Sequence, residues 1–74
     1  MEKDNKHILG RNIKAERIRC DLTQEKFAEL ISMSISHVSK IEQGITSPTA
    51  LALYKMANIL KIPMEDFFKG IKSS

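Results

Sequence analysis

Residues 32–44 read SMSISHVSKIEQG. The first five letters alternate polar and apolar, as a half-buried strand does. Further on, Val38 and Ile41 stand three apart, which is helical spacing. On the helical reading Ser34, Ser36 and Ser39 all fall in one short helix, and serine is a middling helix former. The stretch is therefore a strand, a poor helix, or a helix built for a surface that wants small polar side chains.

Steps of 100° around a helix decide among these. With Val38 pointing inward, Ile41 lies roughly 60° to one side and Glu42 roughly 40° to the other. Ser34 also falls inward at the helix start, where its hydroxyl can cap, and Gly44 is suited to end the helix as a C′ glycine. Ser36, Ser39, Lys40 and Gln43 lie opposite, with Ile35 and His37 on the flanks. This is a helix with a narrow apolar stripe and a broad face of hydrogen-bonding side chains. Ser32 and Met33 then belong to the turn before it. Glu42, near the buried side, needs a partner, because an unpaired buried carboxylate is costly. Arg17 lies about 40° from the apolar axis of its own helix and is the candidate. An Arg17–Glu42 ion pair would lock the first helix to the third.

The rest of the chain divides into further short helices. A first runs from about His7 to Cys20, with Leu9, Ile13 and Cys20 on one face and Asp21 as a plausible stop. Asp tolerates the left-handed conformation better than most residues. A second is capped by Thr23 and carries Phe27, Ala28, Leu30 and Ile31. A fourth opens with Ser47-Pro48, a cap followed by proline at the first helical position, and carries Leu53, Met56, Ala57 and Leu60. A fifth opens around Pro63, with Met64, Phe67, Phe68 and Ile71 as its apolar surface. The expected fold is all-α, a compact five-helix bundle. Residues 1–6 are expected as a flexible arm, 7–69 as the domain and 70–74 as a tail.

Bulk properties narrow the class. A chain of 74 residues is one domain at most. One cysteine, Cys20, excludes an intrachain disulfide and fits a reducing cytoplasm. Two histidines and that cysteine, widely separated, make no zinc site, and no apolar run approaches the roughly 18 residues of a membrane span. The polar start MEKDNKH is not a signal peptide. Net charge is +3. Residues 1–46 carry eight Lys/Arg against seven Asp/Glu, and residues 47–74 four against two. A polyanionic partner is therefore bound by local placement and not by bulk charge.

The ordered residues resemble the Cro and phage-repressor type of helix-turn-helix, the XRE-like transcriptional regulators. The matching features are Leu9-Gly10, Ile13, Arg17, Leu22-Thr23-Gln24-Glu25, Phe27-Ala28, Val38-Ser39, Ile41-Glu42, Gly44 and Ser47-Pro48. Leu53, Met56-Ala57 and Leu60 continue the pattern. The family fold implied is a five-helix bundle whose second and third helices form the motif. Two residues depart from the pattern: Ser32 replaces the usual turn glycine, and Ile35 stands where glutamine or another polar reader is common.

The resemblance implies that the third helix, about residues 34–43, lies in the major groove of double-stranded DNA. Small side chains let it approach closely. Ser36 and Ser39 offer hydroxyls, and Lys40 reaches guanine acceptors or a phosphate. Gln43 suits a phosphate or a base at the groove edge. Ile35 either packs on a thymine methyl or joins the core. His37 is a candidate for a phosphate or base. Thr23 and Gln24 open the second helix, whose free amides and positive dipole suit a phosphate. In the matching family position, Gln24 bridges backbone and recognition helix. Thr46 and the amides after Gly44 are further phosphate candidates.

Few basic residues face the groove, so the expected state is a homodimer on a palindromic operator. Leu51, Tyr54, Ile59, Phe68 and Ile71 are the candidate interface. The expected function is a small transcriptional regulator, a repressor, in a bacterial, archaeal or phage-infected cytoplasm. No cofactor, metal or small-molecule ligand is expected. The alternative is a protein-interaction module of antitoxin or coactivator type, with DNA binding secondary. An enzyme is the weakest reading, because no Ser-His-acid set or phosphate-binding glycine loop is present.

Overall fold

The computed structural model describes residues 2–72. It contains α1 (Glu2–Arg19), α2 (Gln24–Leu30), α3 (Ile35–Glu42), α4 (Ala50–Leu60) and a short 3-10 helix (Met64–Phe68). The described residues contain no strand, and no helix among them is long and apolar enough to cross a membrane. The expected fifth α-helix is thus a 3-10 turn, and the described residues form four α-helices. Pro63 at its start makes no side-chain cap, Lys69 is extended, and Gly70 takes φ +83°. Such a segment has no room to propagate α-helical bonds, and 3-10 geometry suits short runs.

Two other boundaries move. The first helix begins at Glu2 and not at His7, so residues 2–6 are helical where an arm was expected. Neither Gly nor Pro stands between Glu2 and His7, and extending an existing helix is cheaper than nucleating one. Asn5 Nδ2 also donates to Lys72 O at 3.3 Å, tying this turn to the chain's far end. Met1, Ser73 and Ser74, the remainder of the expected arm and tail, lie outside the described residues. The fourth helix is capped by Thr49 and not by Ser47. Thr49 Oγ1 accepts from Ala52 N at 3.1 Å, which leaves Pro48 outside the helix, where its missing N–H costs nothing.

The core is built from the expected faces. Ile13, Phe27, Val38, Ile41, Met56, Leu60 and Phe67 are fully buried. Leu30, grouped with Phe27 and Ile31 by spacing, faces solvent instead. α1 packs against α3 and the 3-10 helix, while α2 rests on α3 and α4 on the 3-10 helix. Asn12 Nδ2 donates to Phe67 O and Lys69 O, both at 2.8 Å, pinning the 3-10 helix. Arg19 Nη2 and Cys20 Sγ both reach Leu60 O, the last carbonyl of α4. Gly10 lies directly on the backbone of α3. A Cβ there would collide with the carbonyl oxygens of Ile41 and Glu42, so only glycine permits this approach.

All four helices end in the same way. One or two residues past the helix the chain takes a left-handed conformation: Asp21 (φ 59°), Ser32 (φ 58°), Gly44 (φ 80°) and Lys61 (φ 57°). The amide of that residue donates three residues back, and the next amide donates five residues back, as Leu22 N to Arg17 O (3.2 Å), Met33 N to Ala28 O (2.9 Å), Ile45 N to Lys40 O (2.9 Å) and Ile62 N to Ala57 O (3.1 Å). This is the Schellman motif, which usually places an apolar residue after the left-handed one. Here those residues are Leu22, Met33, Ile45 and Ile62. Leu22, Met33 and Ile62 pack against the core, while Ile45 is exposed.

Only one of the four left-handed positions is glycine. An L-residue there costs roughly 1–2 kcal/mol, and glycine gives back part of that through its freer unfolded chain. Ser32→Gly is expected to raise stability by about 0.5–1 kcal/mol, a few degrees in Tm. Thermal melting followed by circular dichroism checks this, and an unchanged or lower Tm would show that Ser32 carries no strain.

Candidate nucleic-acid interface

Thr23 and Ser34 open the two helices of the motif in the same manner. Each has extended backbone, and each hydroxyl accepts from the amide three residues on: Lys26 N to Thr23 Oγ1 and His37 N to Ser34 Oγ, both 3.0 Å. The left-handed Ser32 turns the chain between them, and Met33 tucks inward behind it. α3 then buries Val38 and Ile41 and turns its other residues outward. Ser36, His37, Lys40 and Gln43 are exposed, and Ser39 is half-buried. Ile35 is 47% exposed, so it stands on the outer surface and not in the core.

Glu42 fixes how that surface is presented. Its side chain is 2% exposed, and that of Arg17 is 9% exposed. Arg17 Nε lies 2.7 Å from Glu42 Oε2, and Arg17 Nη2 lies 3.1 Å from Glu42 Oε1, a two-point clasp. Arg17 Nη1 also donates to Leu22 O at 2.6 Å, holding the α1–α2 connection. Gln24 Nε2 donates to Glu42 Oε1 at 2.9 Å, bringing the start of α2 into the same network. One carboxylate thus joins α1, α2 and α3. Among the described residues no buried side-chain nitrogen or oxygen lacks a partner.

Sequence-named residues fall into three groups. Ser34, Ile35, Ser36, His37, Ser39, Lys40 and Gln43 are together on α3, with Thr23 and Gln24 at the adjoining start of α2. Thr46, half-buried, follows the Schellman turn. Of the amides after Gly44, Ile45 N donates to Lys40 O at 2.9 Å within the turn. Two features escaped the sequence. Ile45 is 59% exposed beside this face, although its place after a helix-ending glycine marks it as a position for an apolar residue. The side chains of Ser39 and Gln43 are bonded to each other, which their i,i+4 spacing permits but does not require. No three His, Cys, Asp or Glu among the described residues are placed to hold a metal.

Comparison with known proteins agrees with this geometry. The helix-turn-helix family model matches residues 13–67, so the chain belongs to the helix-turn-helix family, in the XRE-type class of DNA-binding transcriptional regulators. It is 36% identical over 59 residues to the uncharacterized HTH-type transcriptional regulator YazB of Bacillus subtilis (strain 168), covering 80% of this chain and 86% of YazB. It is 30% identical over 64 residues, 86% of this chain, to an uncharacterized transcriptional regulator in the ATPase CF(0) region of Rhodospirillum rubrum, and spans 59% of that relative's length. Among solved structures, the restriction-modification controller protein C.AhdI from Aeromonas hydrophila superposes with a TM-score of 0.84 at 25% identity, covering 88% of this chain and 98% of C.AhdI. A transcriptional regulator from Vibrio cholerae gives 0.83 at 27% identity, with 96% of this chain but 40% of that one covered.

Removing one partner of a buried ion pair strands the other, at about 3–5 kcal/mol. Glu42→Ala and Arg17→Ala are each expected to lower Tm by more than about 10 °C in a domain of this size. Joint replacement by apolar residues of similar volume is expected to recover part of the loss. Differential scanning calorimetry of the three variants checks this, and unchanged melting in both single variants would reject the pair as a structural link.

Proposed function

We propose that the protein is a sequence-specific binder of double-stranded DNA that acts as a transcriptional repressor, with α3 seated in the major groove. The observation that carries the reading is the outer face of α3. Its serines keep it slim and polar, Lys40 is free of any ion pair among the described residues, and the helix behind it is clamped by Glu42. A helix entering the groove needs this combination, since its first turns meet base edges while its other side stays fixed to the scaffold. Ser36 and Lys40 meet base edges. Ile35, exposed at the leading turn, packs against a thymine methyl, the apolar feature of the groove. His37, Thr23, Gln24 and Thr46 meet the phosphates on either side. Repression requires only that the bound domain occupy its operator. The place of action is a bacterial, archaeal or phage-infected cytoplasm.

A single domain with few basic residues on this face binds weakly, and we propose that a homodimer supplies the missing affinity on a palindromic site. The exposed apolar residues Leu51 (63%) and Tyr54 (57%) stand three apart on one side of α4, with Phe68 exposed on the 3-10 helix. Ile59 and Ile71 are partly buried against the core, so they contribute at the margin.

Lys40→Ala is expected to cost about 1–3 kcal/mol in binding to a selected operator and less on unrelated duplex, read by fluorescence anisotropy across a salt series. Equal loss on both duplexes would make Lys40 a phosphate contact only. Tyr54→Glu is expected to give a monomer in sedimentation velocity and to weaken operator binding steeply. A variant that stays dimeric would place the interface elsewhere.

A further inference from the structure

On the outer face of α3 two side chains are locked together. Gln43 Nε2 lies 2.8 Å from Ser39 Oγ and 3.2 Å from Ser39 O. The Ser39 carbonyl can only accept, so the amide group turned toward it is the NH2. That sets the orientation of Gln43: its nitrogen is turned to Ser39, and its Oε1, on the other arm of the amide, takes no hydrogen bond among the described residues. Ser39 Oγ accepts from Gln43, and its own hydrogen stays available to donate. Among the described residues no acceptor takes that hydrogen. The locked pair therefore leaves one donor and one acceptor for an outside partner.

We propose that Ser39 and Gln43 act as one composite reader of adenine. This rests on the placement of α3 in the major groove. Adenine presents an acceptor, N7, beside a donor, the N6 amino group. The Ser39 hydroxyl donates to N7, and Gln43 Oε1 accepts from N6. Guanine presents two acceptors, N7 and O6, so the carbonyl of Gln43 meets a lone pair. Thymine offers a lone acceptor beside a methyl, and cytosine only a donor. The same orientation removes Gln43 from the phosphate contacts. A phosphate only accepts, and the NH2 of Gln43 is committed to Ser39. Because the amide is held before DNA arrives, less rotamer freedom is lost on binding.

The test is selection from a random-sequence duplex pool with the wild-type protein, Ser39→Ala, Gln43→Ala, the double variant and Ser39→Thr, each first shown to melt as the wild type does. The wild type should enrich adenine at one position of each half-site, with about 5- to 150-fold discrimination against guanine. Ser39→Ala and Gln43→Ala should each flatten that same position and leave the others intact. The double variant should do no more than either single one, and Ser39→Thr, which keeps the hydroxyl, should retain the preference. Flattening at two different positions, no change in either variant, or a guanine at the shared position would overturn the composite reader alone. A wild-type protein that selects no consensus would overturn the groove placement itself, and the reader with it.

Discussion

A single buried carboxylate holds this small domain in its working shape. Glu42 accepts from Arg17 on α1 and from Gln24 at the start of α2, while it stands on α3. Taking a charge out of water costs several kcal/mol, and the two-point clasp with a guanidinium offsets that cost only when the geometry is fixed. The arrangement therefore tolerates little play between the three helices. Gly10 acts in the same direction, because its missing side chain lets α1 rest on the backbone of α3 next to Glu42. Together they give the exposed helix a rigid back, which a surface of short serines requires. Long side chains can adjust to a groove; short ones depend on where the helix axis lies.

The helix ends contribute a second constraint. Four Schellman turns close four helices, and the apolar residues after three of them return to the core. Each turn thereby sets the direction of the next segment. Strained left-handed residues are retained at Asp21, Ser32 and Lys61 because the turns there are over-determined by two backbone hydrogen bonds and an anchored side chain. Ser32 lies in the turn of the motif itself, where the departure from glycine preserves the conformation.

Much of this was legible in the sequence because it depends on local chemistry. Thr23 and Ser34 as caps, Gly44 as the closing residue and Asp21 as a stop all follow from the behaviour of single residues beside a helix end. The Arg17–Glu42 partnership was legible because two helical wheels each placed a charge near a buried face. Other features depend on what lies across space. The closeness of α1 and α3 at Gly10 and the choice of Thr49 over Ser47, both good caps, have no local marker. Lysine carries no preference for the left-handed conformation that Lys61 adopts. On the outer face, Ile35 could not be assigned from its flank position, since 60° from the inward direction is compatible with either side. The Ser39–Gln43 bond was hidden because i,i+4 spacing allows many pairs and selects none.

The most direct measurement is the shift of backbone amide resonances when a selected duplex is titrated into the labelled protein. Insertion of α3 into the groove predicts that the largest changes fall on residues 34–43, with Thr23 and Gln24 close behind, and that α4 moves little. Changes centred on α4 and the 3-10 helix, with α3 unmoved, would contradict it.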